Sequence, residues 1–157
     1  MNPPLSAVCV RRMTEADLGR VMEIAESLIE APQWPRSAYL TALDPMATLL
    51  RIALVAEDSA RGAVEGFAVA SLLPPQAEVE TIGVAIEAQR SGLARRLFAV
   101  LAADLRTAHV TEVILEVRAS NGPALAFYRS SGFVEAGRRP RYYHDPVEDA
   151  VLMRLGL

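Results

Sequence analysis

The hydrophobic pattern changes period at Gly92, and that change restricts the fold more than any other feature of the chain. Residues 77–85, after the Pro74-Pro75 break, read as a strand. From Gly92 onward Leu93, Leu97, Val100, Leu101 and Leu105 fall on one helical face, while Arg95, Arg96, Ala99, Ala103 and Arg106 fall elsewhere. Residues 113–117 then read as a second strand. Two neighbouring strands joined through a single helix have to run parallel, so a mixed sheet flanked by helices is expected.

The other elements fit around that unit. Residues 8–12 form a short strand, and Thr14 with Asp17 three residues on resembles a helix start, followed by Leu18, Val21, Met22 and Ile24 in a helix to about Ser27. Pro35 suits the first turn of a second short helix carrying Tyr39, Leu40 and Leu43, and Trp34, between Pro32 and Pro35, belongs to a connecting flap. Residues 49–56 and 64–72 pair as a hairpin around the turn-like stretch 57–62. Residues 121–131 read as a helix stopped by Gly132, and 133–138 pair with 150–155 as the last two strands. The fold class is α/β (α+β), with about seven strands and about four helices.

Half of the 157 residues are apolar, and no repeat, low-complexity tract or linker divides them, so one domain over 1–157 is expected, with Pro3-Pro4 in a frayed end. Cys9, the sole cysteine, cannot form an internal disulfide, and residues 1–7 lack the basic start and apolar run of a secretory signal. A cytoplasmic setting is expected. The apolar runs 52–56 and 67–73 fall far short of the roughly eighteen residues of a membrane span. A net charge of −3 argues against direct nucleic-acid binding, although Arg138, Arg139 and Arg141 cluster; a solvated loop or a peptide-binding lid is expected there, with an RNA-contacting surface as the alternative. His109 and His144 belong to no set with metal-ligand spacing, so no metal is expected. Cys9 sits in an expected core strand without a basic partner, which argues against a nucleophilic role.

Three constellations can carry chemistry. Gln89-Arg90-Ser91-Gly92-Leu93-Ala94 lies between a strand and a helix start, where unpaired N–H groups and a partial positive charge suit a pyrophosphate, or where Gly92 simply permits a tight turn. In the 121–131 helix, Asn121, Ala124 and Tyr128 share one face at about 3.6 residues per turn. They either line a groove or act as a helix cap and a core aromatic. Glu116 shares a strand face with Ile114 and Arg118, as a solvated or Arg118-paired carboxylate or as a partly desolvated base for an ammonium.

Taken together these residues resemble the GNAT superfamily. Gln89-x-x-Gly92-x-Ala94 matches its Q/R-x-x-G-x-G/A signature. Over 115–121 (LEVRASN), Ala124, Tyr128, Gly132-Phe133, Tyr142-Tyr143, 148–150 (EDA) and Met153 the chain is similar to the RimI-type ribosomal-protein-alanine N-acetyltransferases. The resemblance implies a centrally splayed sheet with acetyl-CoA between two parallel strands. It implies Glu116 as proton acceptor, Tyr128 as proton donor and Asn121 on the pantetheine arm. Ile82, Gly83 and Val84 would give main-chain contacts to the acetyl and pantetheine groups, and Arg90, Ser91, Gly92, Leu93, Ala94 and Arg95 would wrap the pyrophosphate. The implied partner is a protein N-terminus, that of a ribosomal protein, with the enzyme a monomer or dimer. The alternatives are a GNAT acting on another N-terminus, a lysine or a small amine, and an acyl-CoA-binding module without turnover. Pro140-Arg141 stands where related sequences have Lys-Gly, Ala94 replaces the second glycine, and Ala85-Ile86 lacks the usual Asp-Pro.

Overall fold

The computed structural model describes residues 7–157; the Pro3-Pro4 expectation lies outside them. Seven strands form one sheet in the order β1-β2-β3-β4-β5-β7-β6. They are β1 (Val8–Arg12), β2 (Arg51–Asp58), β3 (Ala63–Leu73), β4 (Gln76–Val84), β5 (Glu112–Arg118), β6 (Val134–Tyr143) and β7 (Glu148–Gly156). The helices are α1 (Leu18–Ser27), α2 (Arg36–Leu43), α3 (Leu93–Thr107) and α4 (Gly122–Ser130). β4 and β5, joined through α3, are parallel, and the remaining pairs are antiparallel.

Parallel pairing stops almost as soon as it begins. Gln76, Ala77 and Glu78 face Glu112, Val113 and Ile114, and the two strands then part. The register of β4 against β3 shifts at the same place: Ala70 faces Val79 and Val69 faces Thr81, which makes Glu80 the extra residue of a bulge. A bulge bends its strand and raises its twist, so it turns the rest of β4 away from β5. Arg51 on β2 donates to Glu80 at 2.7 Å and holds the bulged residue.

The core lies on both sheet faces. Leu93, Leu97, Leu101 and Leu105 of α3 are buried, as their helical spacing requires. The start of α3 comes very close to the sheet because residue 66 is glycine: a Cβ there would meet Leu93 Cδ2 at 2.7 Å. A Cβ on Gly83 would instead meet Phe67 and Leu28, so α1 covers the opposite face. α4 returns on the α3 side, where Phe98 and Phe133 lie 5.5 Å apart.

Three expectations need correction. Cys9 lies on edge strand β1 and is exposed rather than in the core, since alternation turns Val8 inward. The segment expected as a loop or lid after Arg138 is strand: β6 continues to Tyr143 along the sheet edge, its pairing with β7 lapsing after Arg139 at Pro140 and resuming at Tyr143 with Glu148. Pro35 is the cap residue before α2 rather than part of its first turn.

The Thr14–Asp17 signal marks a short 3-10 turn, Glu15–Asp17, that leads into α1. Buried Asp17 accepts from the Thr14 N–H at 2.8 Å and from both terminal nitrogens of Arg11 at 2.8 and 2.9 Å. The Arg11 guanidinium, helped by Thr14, holds its carboxyl below the usual range against the opposing effect of burial. A carboxyl depressed in this way adds stability above its unfolded value of about 3.9 and loses it as pH falls through the folded value. Asp17→Asn is expected to cost about 1–3 kcal/mol at neutral pH. Urea melts across pH should also show a smaller loss of stability below about pH 4 in the variant than in the parent.

Candidate active site

Where β4 and β5 part, the sheet opens into a cleft of about 670 Å³ whose walls include Ile82, Gly83, Val84, Glu116, Asn121 and Tyr128. One wall is bare main chain. Ala85 donates to the Glu65 carbonyl, which makes that pair hydrogen-bonded and the adjacent Gly66–Val84 pair not. By the same alternation the N–H and C=O groups of Ile82 and Val84 point away from β3, into the gap that β5 has left. The Gln89 side chain donates to the Val84 carbonyl at 3.1 Å, so it satisfies the acceptor and leaves the Val84 N–H facing the cleft. Gln89 thus has a structural task that its place in the sequence signature does not reveal.

The turn that starts α3 borders this wall. Gly92 caps the helix with φ +84°, a left-handed conformation that favours glycine, and Arg90 has φ +60°. Because Gly92 has no side chain, no side-chain oxygen caps the first-turn N–H groups, and they keep their partial positive charge. The tight turn expected at Gly92 is present, and the helix it opens starts without a side-chain cap. Ala94 lines the cleft, Ser91 donates to the Ala88 carbonyl at 2.6 Å, Leu93 is buried in the core, and Arg90 and Arg95 are exposed.

The opposite wall comes from β5, α4 and the β6–β7 hairpin. Asn121 Oδ1 accepts from the Ala124 N–H at 3.2 Å and so caps α4, while the same residue lines the cleft. Tyr128 is buried against Phe127 and Phe133, and burial, with a contribution from nearby Tyr143, raises its hydroxyl far above the usual value. Glu116 pairs with Arg139 of β6 at 2.9 Å, not with Arg118. Arg118 lies 4.4 Å from the Tyr143 ring centroid and bonds Glu148 and the His144 and Pro146 carbonyls. β6 advances from Arg139 to Tyr143 while β7 moves only from Ala150 to Glu148, and this irregularity brings both tyrosines toward Glu116. Burial and then the Glu116 charge push Tyr143 up to about 12. Arg139, Tyr142 and Tyr143 lie far from Glu116 in sequence, and no spacing rule pointed to the contact.

The cleft brings together a helix start whose N–H groups carry no side-chain cap, a stretch of β4 main chain that no strand pairs, and the Glu116 and Tyr128 side chains. Among the described residues, no set of three His, Cys, Asp or Glu is placed to hold a metal ion, and no helix is long and apolar enough to cross a membrane.

Comparison with known proteins agrees with this geometry. The Acetyltransferase (GNAT) family matches the chain over residues 21–133. The "N-alpha-acetyltransferase RimI" of Mycobacterium tuberculosis H37Rv is 36% identical over 159 residues, covering 98% of this chain and 96% of that protein. The "[Ribosomal protein bS18]-alanine N-acetyltransferase" of Escherichia coli K12 is 41% identical over 96 residues, 60% of this chain and 65% of that protein, so the matched stretch spans just under two thirds of its length. The crystal structure of the ribosomal-protein-S18-alanine N-acetyltransferase from Escherichia coli superposes with a TM-score of 0.81 at 29% identity, covering 95% of this chain and 93% of that one.

All four tyrosines, Tyr39, Tyr128, Tyr142 and Tyr143, have raised values. Their protons are held more tightly folded than unfolded, so stability is expected to fall as pH rises past the ordinary tyrosine value of about 10. Tyrosinate absorbance in an alkaline titration should lag behind that value and rise together with the loss of helical circular dichroism. Asn121→Ala is expected to cost about 1 kcal/mol through the lost cap, measured by thermal or urea unfolding.

Proposed function

Because the chain belongs to the acetyltransferase (GNAT) family, we propose that it transfers the acetyl group of acetyl-CoA to the N-terminal α-amine of a protein, with the N-terminal alanine of a small-subunit ribosomal protein as its acceptor. The observation that carries this is the meeting of Glu116, Asn121 and Tyr128 with the unpaired main chain of β4 in one cleft. In this reading residues 1–157 act as one domain in the cytoplasm, as a monomer or dimer, without a metal or bound nucleic acid.

When bound, acetyl-CoA supplies an acetyl group activated as a thioester. The residues that would hold it are Ile82, Gly83 and Val84 through the main chain, Asn121 at the pantetheine arm, and Arg90, Ser91, Gly92, Leu93, Ala94 and Arg95 around the pyrophosphate. The Val84 N–H, which β3 leaves unpaired, is available to donate where negative charge builds on the acetyl oxygen. Glu116 accepts the proton that the acceptor's ammonium must lose before it can attack. An α-ammonium loses it at about 7.7–8.0, against about 10.4 for lysine, which favours a protein N-terminus as acceptor. The Tyr128 hydroxyl, which lines the cleft and is protonated at neutral pH, would give its proton to the departing sulfur. Direct attack needs no covalent enzyme intermediate, which fits an exposed Cys9 remote from the cleft lining.

The test is CoA release from acetyl-CoA with an alanine-starting peptide, beside the same peptide with a blocked N-terminus and one whose only free amine is a lysine. Release with the free α-amine alone is expected. Release with lysine alone would move the acceptor assignment to lysines, and release with none of them, nor with small amines, would leave a binding module. Glu116→Gln is expected to lower kcat/KM by about 100-fold or more, with the larger effect at low pH, where the acceptor arrives protonated. Tyr128→Phe should lower kcat by at least about 10-fold while acetyl-CoA still binds, checked by calorimetry.

A further inference from the structure

Building on the acetyl-transfer reading above, we propose that Arg139 is a tethered stand-in for the acceptor's ammonium: its guanidinium fills the cationic subsite beside Glu116 in the free enzyme, and the incoming amine exchanges with it.

The geometry starts with the sheet. Arg118 on β5 and Arg139 on β6 both face Ala150, on either side of β7, so their side chains share a face with Glu116, two residues from Arg118 along β5. Straight across from Glu116, beyond Leu152, stands Gly137, which puts no side chain in the way. Arg139 therefore reaches diagonally over β7, and its Nε meets Glu116 Oε1 at 2.9 Å.

The two partners differ in freedom. The Glu116 side chain is 14% exposed and that of Arg139 is 59% exposed, so the carboxylate is sheltered in the cleft while the guanidinium reaches it from the solvent side. Arg139 also lies 5.6 Å from the Tyr142 ring centroid, a cation–π position that gives the guanidinium a second contact when it leaves the carboxylate. Directly after Arg139 the ladder breaks: Pro140 has no N–H to give, Arg141 has φ +53°, and its N–H donates to Asp149 Oδ1. Beyond that break Tyr143 lines the cleft.

The other groups around Glu116 do not supply the cation. Glu78 faces it from β4, and Tyr142 and Tyr143 face it from β6. Arg118, on the same strand and face, is committed to Glu148, to Glu30 and to the Tyr143 ring. Arg139 alone balances the carboxylate among the described residues. A guanidinium keeps its proton at any ordinary pH, so it can hold the place of an ammonium without being a substrate. An amine that carries a positive charge can replace it, and a blocked N-terminus has nothing to exchange.

The test is calorimetric binding of peptides to the enzyme loaded with CoA. Arg139→Gln is expected to tighten a free-amine peptide by about 2- to 5-fold, the range that a partly exposed ion pair can withhold. The Nα-acetylated form of the same peptide should gain nothing. Arg139→Lys, which retains a cation, should stay nearer the parent, and CoA affinity shared by all three proteins would show that the cleft is intact. Equal changes for both peptides, or weaker binding of the free amine, would overturn the proposal. Should the parent enzyme acetylate the peptide and Arg139→Gln bind it no more tightly, the exchange role fails and acetyl transfer stands. A parent enzyme that neither binds nor acetylates any amine removes both.

Discussion

The site depends on the early separation of two parallel strands. A sheet normally pairs every interior N–H and C=O group, and an unpaired edge in its middle is costly unless something else satisfies it. Here β4 and β5 pair over three residues and part at the Glu80 bulge, which exposes the main chain of Ile82 and Val84 inside the molecule. The protein answers half of that cost itself, through the Gln89 side chain on the Val84 carbonyl. The donor side stays open toward the cleft. The helix that bridges the two strands starts beside the gap, held close to the sheet by Gly66, with its first N–H groups free of side-chain caps. One departure from regular pairing thus positions an unpaired strand edge and an uncapped helix start together.

The second wall is built by charge and aromatic contacts rather than by apolar packing. Arg118 ties the end of β5 to the β6–β7 hairpin through Glu148 and two carbonyls, reaches Glu30 after α1 at 3.9 Å, and stacks on Tyr143. Glu148 in turn accepts from the Ser120 N–H next to the α4 cap. Residues from three separate parts of the chain are thereby held around the mouth of the cleft. Loss of any one contact leaves a partly exposed charge with solvent access, so the wall can adjust at modest cost. The buried Tyr128, packed against Phe127 and Phe133, is the rigid part of the same wall.

Much of the architecture was legible before the tertiary structure because period and punctuation are local. The α3 stripe, the Gly92 start, the Gly132 stop and the hairpin of β2 and β3 all follow from spacing, and each lies within a few residues of its expected bounds. The later half of β6 was not legible, since Pro140 and a run of arginines carry no strand signal and the return to β7 at Tyr143 and Glu148 is a long-range contact. Cys9 was misplaced for a related reason: β1 is an edge strand, and nothing in five residues tells which face of an edge meets solvent. For Glu116 alternation gives only the face it shares with Ile114 and Arg118; of the readings left open, the Arg118 pair gives way to Arg139, because a neighbour two residues away is visible in sequence and one beyond another strand is not.

The sequence by itself determined the element order, the parallel crossover and the residue types able to handle a polyanion, an ammonium and a leaving group. These depend on backbone propensity, hydrophobic period and side-chain chemistry, which act over a few residues. Only the tertiary structure decided where β4 and β5 diverge, that Val84 turns its N–H into the gap, and that Arg139 rather than Arg118 meets Glu116. Those outcomes depend on register, bulges and long-range pairing, where a shift of one residue reverses the direction of every backbone hydrogen bond and every side chain.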